Sequence, residues 1–116
     1  MSLSYKILGQ ALTSASGSST AVNIYTVPSS KSATVSSIMI TNTSASSKTY
    51  RIAIVPSAST GSTSSLQHYI AYDVSVSANS TNQIRGGITL ATGDQVRIYG
   101  STADISVNLY GAEVTG

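Results

Sequence analysis

The sequence of 116 residues contains no cysteine, no tryptophan, no phenylalanine and a single histidine. Without cysteine, the chain can form neither a disulfide nor a thiolate metal site. Charged residues make up only 9% of the chain, against about 25% in an ordinary soluble domain. The six lysines and arginines are dispersed, and the net charge is only +2. The chain therefore lacks the clustered cations that a nucleic-acid partner requires.

Long hydrophobic segments are also missing from the sequence. No continuous apolar run approaches the ~18 residues that a membrane-spanning helix needs, so we expect no membrane partner. Residues 1–6 lack the basic region and apolar run of a signal peptide. The length suits a single domain, which can bury roughly 65% of its unfolded surface. A hydrophobic core can therefore form without a metal ion or a disulfide.

Small hydroxyl residues are abundant instead. The chain has 24 serines and 14 threonines, so about a third of it carries a short hydroxyl side chain. Such residues suit turns and the exposed faces of strands. With so few charges, little electrostatic repulsion keeps identical copies apart. The composition therefore favours a protein that functions in an assembly.

Two segments, 32–42 and 48–55, show the clearest strand pattern. In 48–55 one face carries apolar residues with a period of two: Tyr50, Ile52 and Ile54. Lys48 and Arg51 are left for solvent, and this pattern is typical of a half-buried strand. In 32–42 the apolar parity changes between Val35 and Ile38. A β-bulge at Ser36–Ser37 would let both halves face one core, because one extra residue re-aims the strand.

The remaining pattern predicts further short strands separated by turns. They lie at 3–7, 20–27, 66–76, 81–85, 94–99 and 104–114. We expect Gly86–Gly87 to break the fourth of these, and Gly93 to adopt a positive φ in a turn. No segment has helical spacing of its apolar residues. The fold class is therefore all-β, an antiparallel two-sheet sandwich of about eight strands, either jelly-roll or immunoglobulin-like.

The N-terminal segment differs from the rest of the chain. Residues 1–12 are predicted to form a strand or arm in which Tyr5 and Ile7 share one face. Residues 13–20 are a flexible serine-rich connection, and residues 21–116 are the sandwich domain. The connection is either a plain loop or a hinge that lets the arm dock on a neighbouring subunit.

No catalytic or metal-binding constellation is recognisable in the sequence. His68 has no nearby partner ligands, and by strand parity it lies with Ile70 and Tyr72 on the inner face of its strand. We expect it to be a hydrogen-bonded residue at the edge of the core. The acidic residues are scattered over different turns and strands: Asp73, Asp94, Asp104 and Glu113. We therefore expect no enzyme activity, no catalytic residue, no metal and no cofactor.

All seven aromatic residues are tyrosines. Tyrosine combines an apolar ring with a polar rim, which suits interfaces and stacking on sugars. Tyr69 and Tyr99 fall on outward parities, with Arg97 near the latter. Together with Tyr5 and Ile7 of the arm, they are the candidate interaction residues. The alternative is that tyrosines simply cover the sheets through cross-strand pairs.

Asn42 and Asn79 each begin an Asn-x-Ser/Thr glycosylation pattern. Both asparagines follow strand segments and precede small hydroxyl residues, a context in which asparagine commonly forms turns. We interpret both as turn-forming residues.

Several stretches together carry a resemblance to a known family. They are Tyr5-Lys-Ile-Leu-Gly-Gln10, Asn23-Ile-Tyr-Thr-Val-Pro28 running into Val35-Ser-Ser-Ile-Met-Ile-Thr-Asn42, His68-Tyr-Ile-Ala-Tyr-Asp73, Gly87-Ile-Thr-Leu-Ala-Thr-Gly-Asp94 and Asn108-Leu-Tyr-Gly-Ala-Glu113. In that order and spacing they resemble a small β-sandwich module of tailed bacteriophages, notably phages of cyanobacteria and other marine bacteria. The resemblance covers nearly the whole chain. It implies a non-enzymatic protein of the virion, either a capsid decoration (cement) protein or a neck, tail or fibre component.

We therefore expect a virion structural protein that binds copies of itself and neighbouring phage structural proteins. It would bury apolar and tyrosine surface and pair backbone at sheet edges, forming a homo-oligomer with a trimer as the leading arrangement. The alternative is a carbohydrate-binding module that attaches the particle to host glycan. That alternative requires two or more tyrosine rings in one exposed groove beside polar side chains.

Overall fold

The computed structural model describes residues 2–13, 20–61 and 64–115, and within them the chain forms eight β-strands. The strands are β1 (Ser2–Leu12), β2 (Val22–Thr26), β3 (Lys31–Asn42), β4 (Lys48–Val55), β5 (Tyr69–Val76), β6 (Thr81–Leu90), β7 (Gln95–Gly100) and β8 (Ile105–Thr115). Two single 3₁₀ turns, Ser57–Ser59 and Leu66–His68, interrupt the connection from β4 to β5. Neither of these helical turns is long and apolar enough to cross a membrane.

The strands form two antiparallel four-stranded sheets. Sheet I has the order β1-β8-β3-β6 and sheet II the order β2-β7-β4-β5. The first strand pairs with the last, β2 with β7, β3 with β6, and β4 with β5. This is the arrangement of a long hairpin wound into a barrel-like sandwich, which is the jelly roll. The all-β sandwich prediction is confirmed, and the pairing selects the jelly roll over the immunoglobulin-like alternative.

The predicted bulge in β3 is confirmed. The register of β3 with both neighbouring strands shifts between Val35 and Ser37, and Val35 and Ile38 are both fully buried. On β6, the residues opposite this register shift are Gly86–Gly87, and Gly86 has φ of 136°. Glycine tolerates this conformation without steric cost, so β6 continues through the bulge. The predicted strand break at Gly86–Gly87 is therefore wrong.

The hydrophobic core lies between the two sheets. Its largest fully buried side chains are Ile38, Ile40, Ile52, Leu90, Ile98, Ile105 and Leu109. Burying one such side chain stabilises the fold by about 1.5–3 kcal/mol relative to exposing it. In β4, Tyr50 and Ile52 face this core as the alternation predicts, and Ile54 packs against it half-buried.

The N-terminal segment forms β1, an edge strand of sheet I that pairs with β8 along its length. Its register shifts between Ile7 and Gly9, and Leu8 packs on the core. A side chain at Gly9 would clash with the carbonyl oxygen of Ile24, so glycine allows β1 and β2 to approach closely. Thr13 is buried and donates its N–H to the Ile105 carbonyl oxygen at 2.9 Å. Residues 14–19 of the predicted connection lie outside the described residues.

The strand β5 departs most from its predicted pattern. The predicted strand began at Leu66, but a 3₁₀ turn occupies Leu66–His68. The register of β5 against β4 shifts twice, and Asp73 has φ of 51°. These irregularities change the parity of the strand. Of the residues expected on the inner face, His68 and Val76 are buried, whereas the side chains of Ile70, Tyr72 and Val74 are exposed.

The two Asn-x-Ser/Thr patterns have different environments. Asn42 is fully buried; its amide nitrogen donates to the Val76 carbonyl oxygen at 3.1 Å, and its oxygen accepts from the Ser44 N–H at 2.9 Å. It therefore cannot be glycosylated in the folded protein. Asn79 lies in the turn before β6 with φ of 54°, which confirms its interpretation as a turn residue.

Candidate functional site

Titratable side chains of the described residues have hydrogen-bonding roles in the fold. Among the described residues, no group of three or more His, Asp or Glu side chains could hold a metal ion. The buried imidazole of His68 accepts a hydrogen bond from the Ser65 N–H at 3.0 Å, which confirms its predicted state as a hydrogen-bonded residue. Asp94 accepts from the N–H groups of Ser57 and Ala91, both at 2.9 Å, and so organises a turn.

The buried carboxylate of Glu113 is a structural group that the sequence pattern does not predict. It accepts a hydrogen bond from the Tyr25 hydroxyl at 2.5 Å and pairs with Lys6 at 2.7 Å and with Lys31 at 3.5 Å. The hydrogen bonds from Lys6 and Tyr25 hold the pKa of Glu113 below its ordinary value. Burial and the neighbouring Glu113 raise the pKa of Tyr25. These contacts tie β1, β2, β3 and β8 together.

The outer face of β1 carries a row of exposed apolar side chains, which we call the β1 strip (Leu3, Tyr5 and Ile7). Leu3 and Ile7 are each about half exposed, at 51% and 52%, and Tyr5 is 80% exposed. Because β1 is an edge strand, one side of its backbone has no strand partner in the part of sheet I that the structure describes. The strip therefore combines apolar side chains with an available strand edge.

An open apolar cleft of about 260 Å³ adjoins the β1 strip. It is lined by Leu3, Tyr5, Thr34, Ser36, Gly111 and Ala112. Gly111 lies in its floor, where β8 runs so close to β3 that a side chain would clash with the carbonyl oxygen of Thr34. The strip and the cleft form one continuous surface on sheet I, with a protruding ring and a depression side by side.

Two predicted interaction residues, Tyr99 and Arg97, are not exposed. Both lie on the outer side of sheet II, as their parity predicts, but only 2% of Tyr99 and 7% of Arg97 is accessible. The Tyr99 hydroxyl donates to Ser64 Oγ at 2.7 Å, and the Arg97 guanidinium donates to the Thr60 carbonyl oxygen at 2.6 Å. The connection from β4 to β5 covers them, so the prediction that they are exposed is wrong.

Beneath this connection lies a small second core. It consists of Ala53, Val55 and Tyr99, with Tyr69 packed against it half-buried. Tyr69, the third predicted residue of this sheet, thus contributes to packing and is also partly accessible. Alternation along a strand predicts the face on which a side chain lies, but it does not predict which loop covers that face.

Three tyrosine rings meet on the outer face of sheet II, and we call Tyr69, Tyr72 and Tyr99 the tyrosine cluster. The ring centroids of Tyr69 and Tyr72 are 5.0 Å apart at 82°, and those of Tyr69 and Tyr99 are 5.7 Å apart. The guanidinium of Arg51 lies 4.1 Å from the centre of the Tyr72 ring. Tyr72 was predicted to face inward, yet its side chain is 49% exposed.

An ion pair fixes Arg51 beside the tyrosine cluster. Two guanidinium nitrogens of Arg51 donate to the two carboxylate oxygens of Asp73, at 2.6 and 3.2 Å. The hydrogen bonds from Arg51 lower the pKa of Asp73 below its ordinary value. The two charges cancel at neutral pH. One sequence signal points to this site, since Asp is unfavourable within a strand and Asp73 marks the bulge that turns Tyr72 outward.

Comparison with known proteins supports the fold. No protein-family model matches the sequence, and no curated protein is significantly similar to it. Among solved structures, a chain of the T13 particle of infectious bursal disease virus matches 97% of this chain with a TM-score of 0.54 and 10% identity. A chain from the structure of the Gx strain of that virus matches 99% with a TM-score of 0.49 and 13% identity. This chain spans 30% and 32% of those chains, and the first match shows a shared fold.

Proposed function

We propose that this chain is a structural protein of a virus particle, in which it packs against copies of itself and against neighbouring particle proteins. The observation that carries this proposal is the β1 strip beside its cleft. The resemblance to tailed-phage modules supports a phage virion, with the protein as a capsid decoration protein or as a neck or tail component. The jelly roll it shares with a chain of a viral particle is compatible with this role, although a fold alone does not determine function.

The β1 strip has the composition of a contact surface. Contiguous exposed apolar side chains are unfavourable in a free monomer and mark interaction sites on proteins. Full burial of each large side chain of the strip contributes about 1.5–3 kcal/mol. The free backbone edge of β1 can add hydrogen bonds with an extended segment of a partner.

The cleft gives the contact a specific shape. Its volume of about 260 Å³ accommodates one large apolar or aromatic side chain, and such anchors in pockets contribute most to interface stability. Tyr5, which is 80% exposed, is the protruding side chain of the same surface. Copies can therefore contact one another through a protruding ring and a matching cleft, in a homo-oligomer for which we propose a trimer.

The location of the protein in purified virus particles tests this function. We expect mass spectrometry of particles to detect the chain at many copies per particle, and particle imaging to show density of its size, 45 × 28 × 19 Å, on the capsid, neck or tail. A chain that is produced during infection but is absent from purified particles contradicts the proposal.

A second candidate function is attachment of the particle to host carbohydrate. Tyr72 of the tyrosine cluster is half exposed and Tyr69 is partly accessible, and both favour this function. Accessible aromatic rings beside polar side chains stack on sugars and hydrogen-bond to their hydroxyls. This function is compatible with the first, since the tyrosine cluster and the β1 strip lie on different sheets.

A further inference from the structure

We infer that the exposed part of Tyr72, with the Arg51–Asp73 ion pair beside it, binds a neutral saccharide. This inference rests on the second candidate function and specifies its site and ligand class. The apolar C–H face of a sugar ring would pack on the accessible part of the Tyr72 ring. Asp73 and Arg51 would accept and donate hydrogen bonds at the ring's edge.

The position of Tyr72 comes from a backbone that departs from the regular strand. Asp73 is a non-glycine residue with φ of 51°, a left-handed conformation that is strained for most residues and is found preferentially at functional sites. The register shifts around it place Tyr72 on the outer face, where half of its side chain is accessible. A regular strand would have kept Tyr72 on the opposite side.

The polar part of the site is held in place before any ligand arrives. The bidentate pair with Asp73 and the contact with the Tyr72 ring fix the guanidinium of Arg51, whose side chain is 22% exposed. Asp73 is about half exposed, so its carboxylate can accept hydrogen bonds from hydroxyl groups. A preorganised donor and acceptor reduce the entropy that binding would otherwise lose.

The charges of the site favour an uncharged ligand. Because Arg51 and Asp73 neutralise each other, the site offers no net attraction to phosphate, sulfate or carboxylate groups. Arg97, which also lies on the outer side of sheet II, is buried under the connection from β4 to β5. Single-stranded nucleic acid, which also stacks on aromatic rings, requires a positively charged groove in addition. A neutral saccharide fits both the aromatic and the electrostatic features.

The site remains accessible when copies associate through sheet I. The tyrosine cluster lies on the outer side of sheet II, and the β1 strip on the outer side of sheet I. Association through the strip thus leaves the saccharide sites free. Many weak sites on one particle then act together, which raises overall affinity without any new contact.

A glycan array followed by calorimetric titration tests the inference on the full chain. The probes are neutral glucose, galactose and mannose oligosaccharides, with sulfated and carboxylated analogues on the same array. We expect selective binding of a neutral oligosaccharide. Tyr72→Ala should weaken this binding by at least about tenfold, whereas Tyr72→Phe, which keeps the ring, should retain affinity within about threefold.

Two matched variants serve as controls. Tyr110→Ala removes a tyrosine that is 37% exposed on sheet I, and Arg85→Ala removes an exposed arginine of β6. Both should bind the oligosaccharide like the wild type, while Arg51→Ala should bind more weakly. Thermal unfolding of each variant separates lost binding from lost folding, since Tyr72 lies at an exposed edge and its removal should leave the fold intact.

Three results would overturn the inference. They are no binding to any neutral saccharide on the array, stronger binding to the acidic analogues than to the neutral oligosaccharides, and equal loss of binding in Tyr72→Ala and Tyr110→Ala. The structural role in the particle is tested separately. A chain that is present in particles but binds no sugar contradicts the saccharide site and leaves the structural role standing.

Discussion

At the scale of single residues, Glu113 is the group on which several strands depend. Its side chain is 3% exposed and is satisfied by Tyr25, Lys6 and Lys31. Hydrogen bonds to a charged group contribute about 1.5–3 kcal/mol each when the group is buried. Replacement by glutamine keeps the shape but removes the charge. We expect Glu113→Gln to reduce the free energy of unfolding at pH 7 by about 1–3 kcal/mol.

The same residue predicts a pH dependence. Because the folded state lowers the pKa of Glu113, the unfolded chain takes up the proton first as the pH falls. The stabilising contribution is therefore complete above the ordinary glutamate pKa of about 4.3, and it is lost as the pH falls through the lower pKa of the folded state. Urea unfolding from pH 7 to pH 2.5 should show the wild type and Glu113→Gln converging in acid. A constant difference in unfolding free energy across this range would contradict the assignment.

The conformation and hydrogen bonding of single residues could be predicted from the sequence where residues nearby in the chain determine them. Gly93 has the positive φ expected of it, 86°, in the turn before β7. The hydrogen-bonded state of His68 was also predicted. The burial of Tyr99 and Arg97 was not, because it depends on a loop that folds back from a distant part of the chain. The partners of Glu113 likewise come from strands far apart in sequence.

At the scale of strands, the bulge in β3 shows that an alternation pattern can predict where a strand has an extra residue. The change of parity between Val35 and Ile38 was sufficient to locate the extra residue, because both halves of the strand must face the same core. The two bulges of β5 leave no such signature. An edge strand tolerates exposed apolar residues, so the pattern of β5 did not reveal that Tyr72 lies outside.

Deletion of Ser36 tests the bulge directly. Ser36 itself is exposed, and its hydroxyl donates to the Tyr110 carbonyl oxygen at 3.0 Å. Ser36→Ala should cost about 1 kcal/mol, the value of one hydrogen bond. Deleting the residue would turn one half of β3 away from the core, which exposes at least two buried side chains and should cost more than about 4 kcal/mol.

Equilibrium unfolding in urea measures both variants of Ser36. The alanine variant controls for loss of the side chain, so the additional effect of the deletion reports on the register alone. If the deletion variant were as stable as Ser36→Ala, β3 would not need its extra residue, and the assigned register would be incorrect.

At the scale of the whole molecule, the number and kind of strands could be predicted, but their order in the sheets could not. Alternation and turn residues are local signals, whereas the pairing of β1 with β8 joins residues more than a hundred positions apart, such as Ser2 and Thr115. A jelly roll and an immunoglobulin-like sandwich use the same local patterns. The choice between these two topologies depends on packing between strands far apart in sequence, which the periodicity of a single strand does not predict.

The two candidate surfaces lie on different sheets of the molecule. The sandwich has one apolar outer surface at the edge of sheet I and one aromatic, polar outer surface on sheet II. We expect the first to bind other copies and the second to bind carbohydrate. The sequence placed Tyr5 and Ile7 of the first surface on a shared face. For the second surface it named Tyr69, Tyr99 and Arg97, of which only Tyr69 is partly accessible.

Sedimentation velocity of the purified protein tests the role of the β1 strip most directly. Ile7→Glu places a charge within the β1 strip, and Gln83→Glu adds the same charge at an exposed position on β6, the opposite edge strand of sheet I. We predict that the wild type and Gln83→Glu sediment as a homo-oligomer and that Ile7→Glu sediments as a folded monomer. A wild-type protein that remains monomeric at every concentration, or an Ile7→Glu variant that assembles like the wild type, would contradict the account.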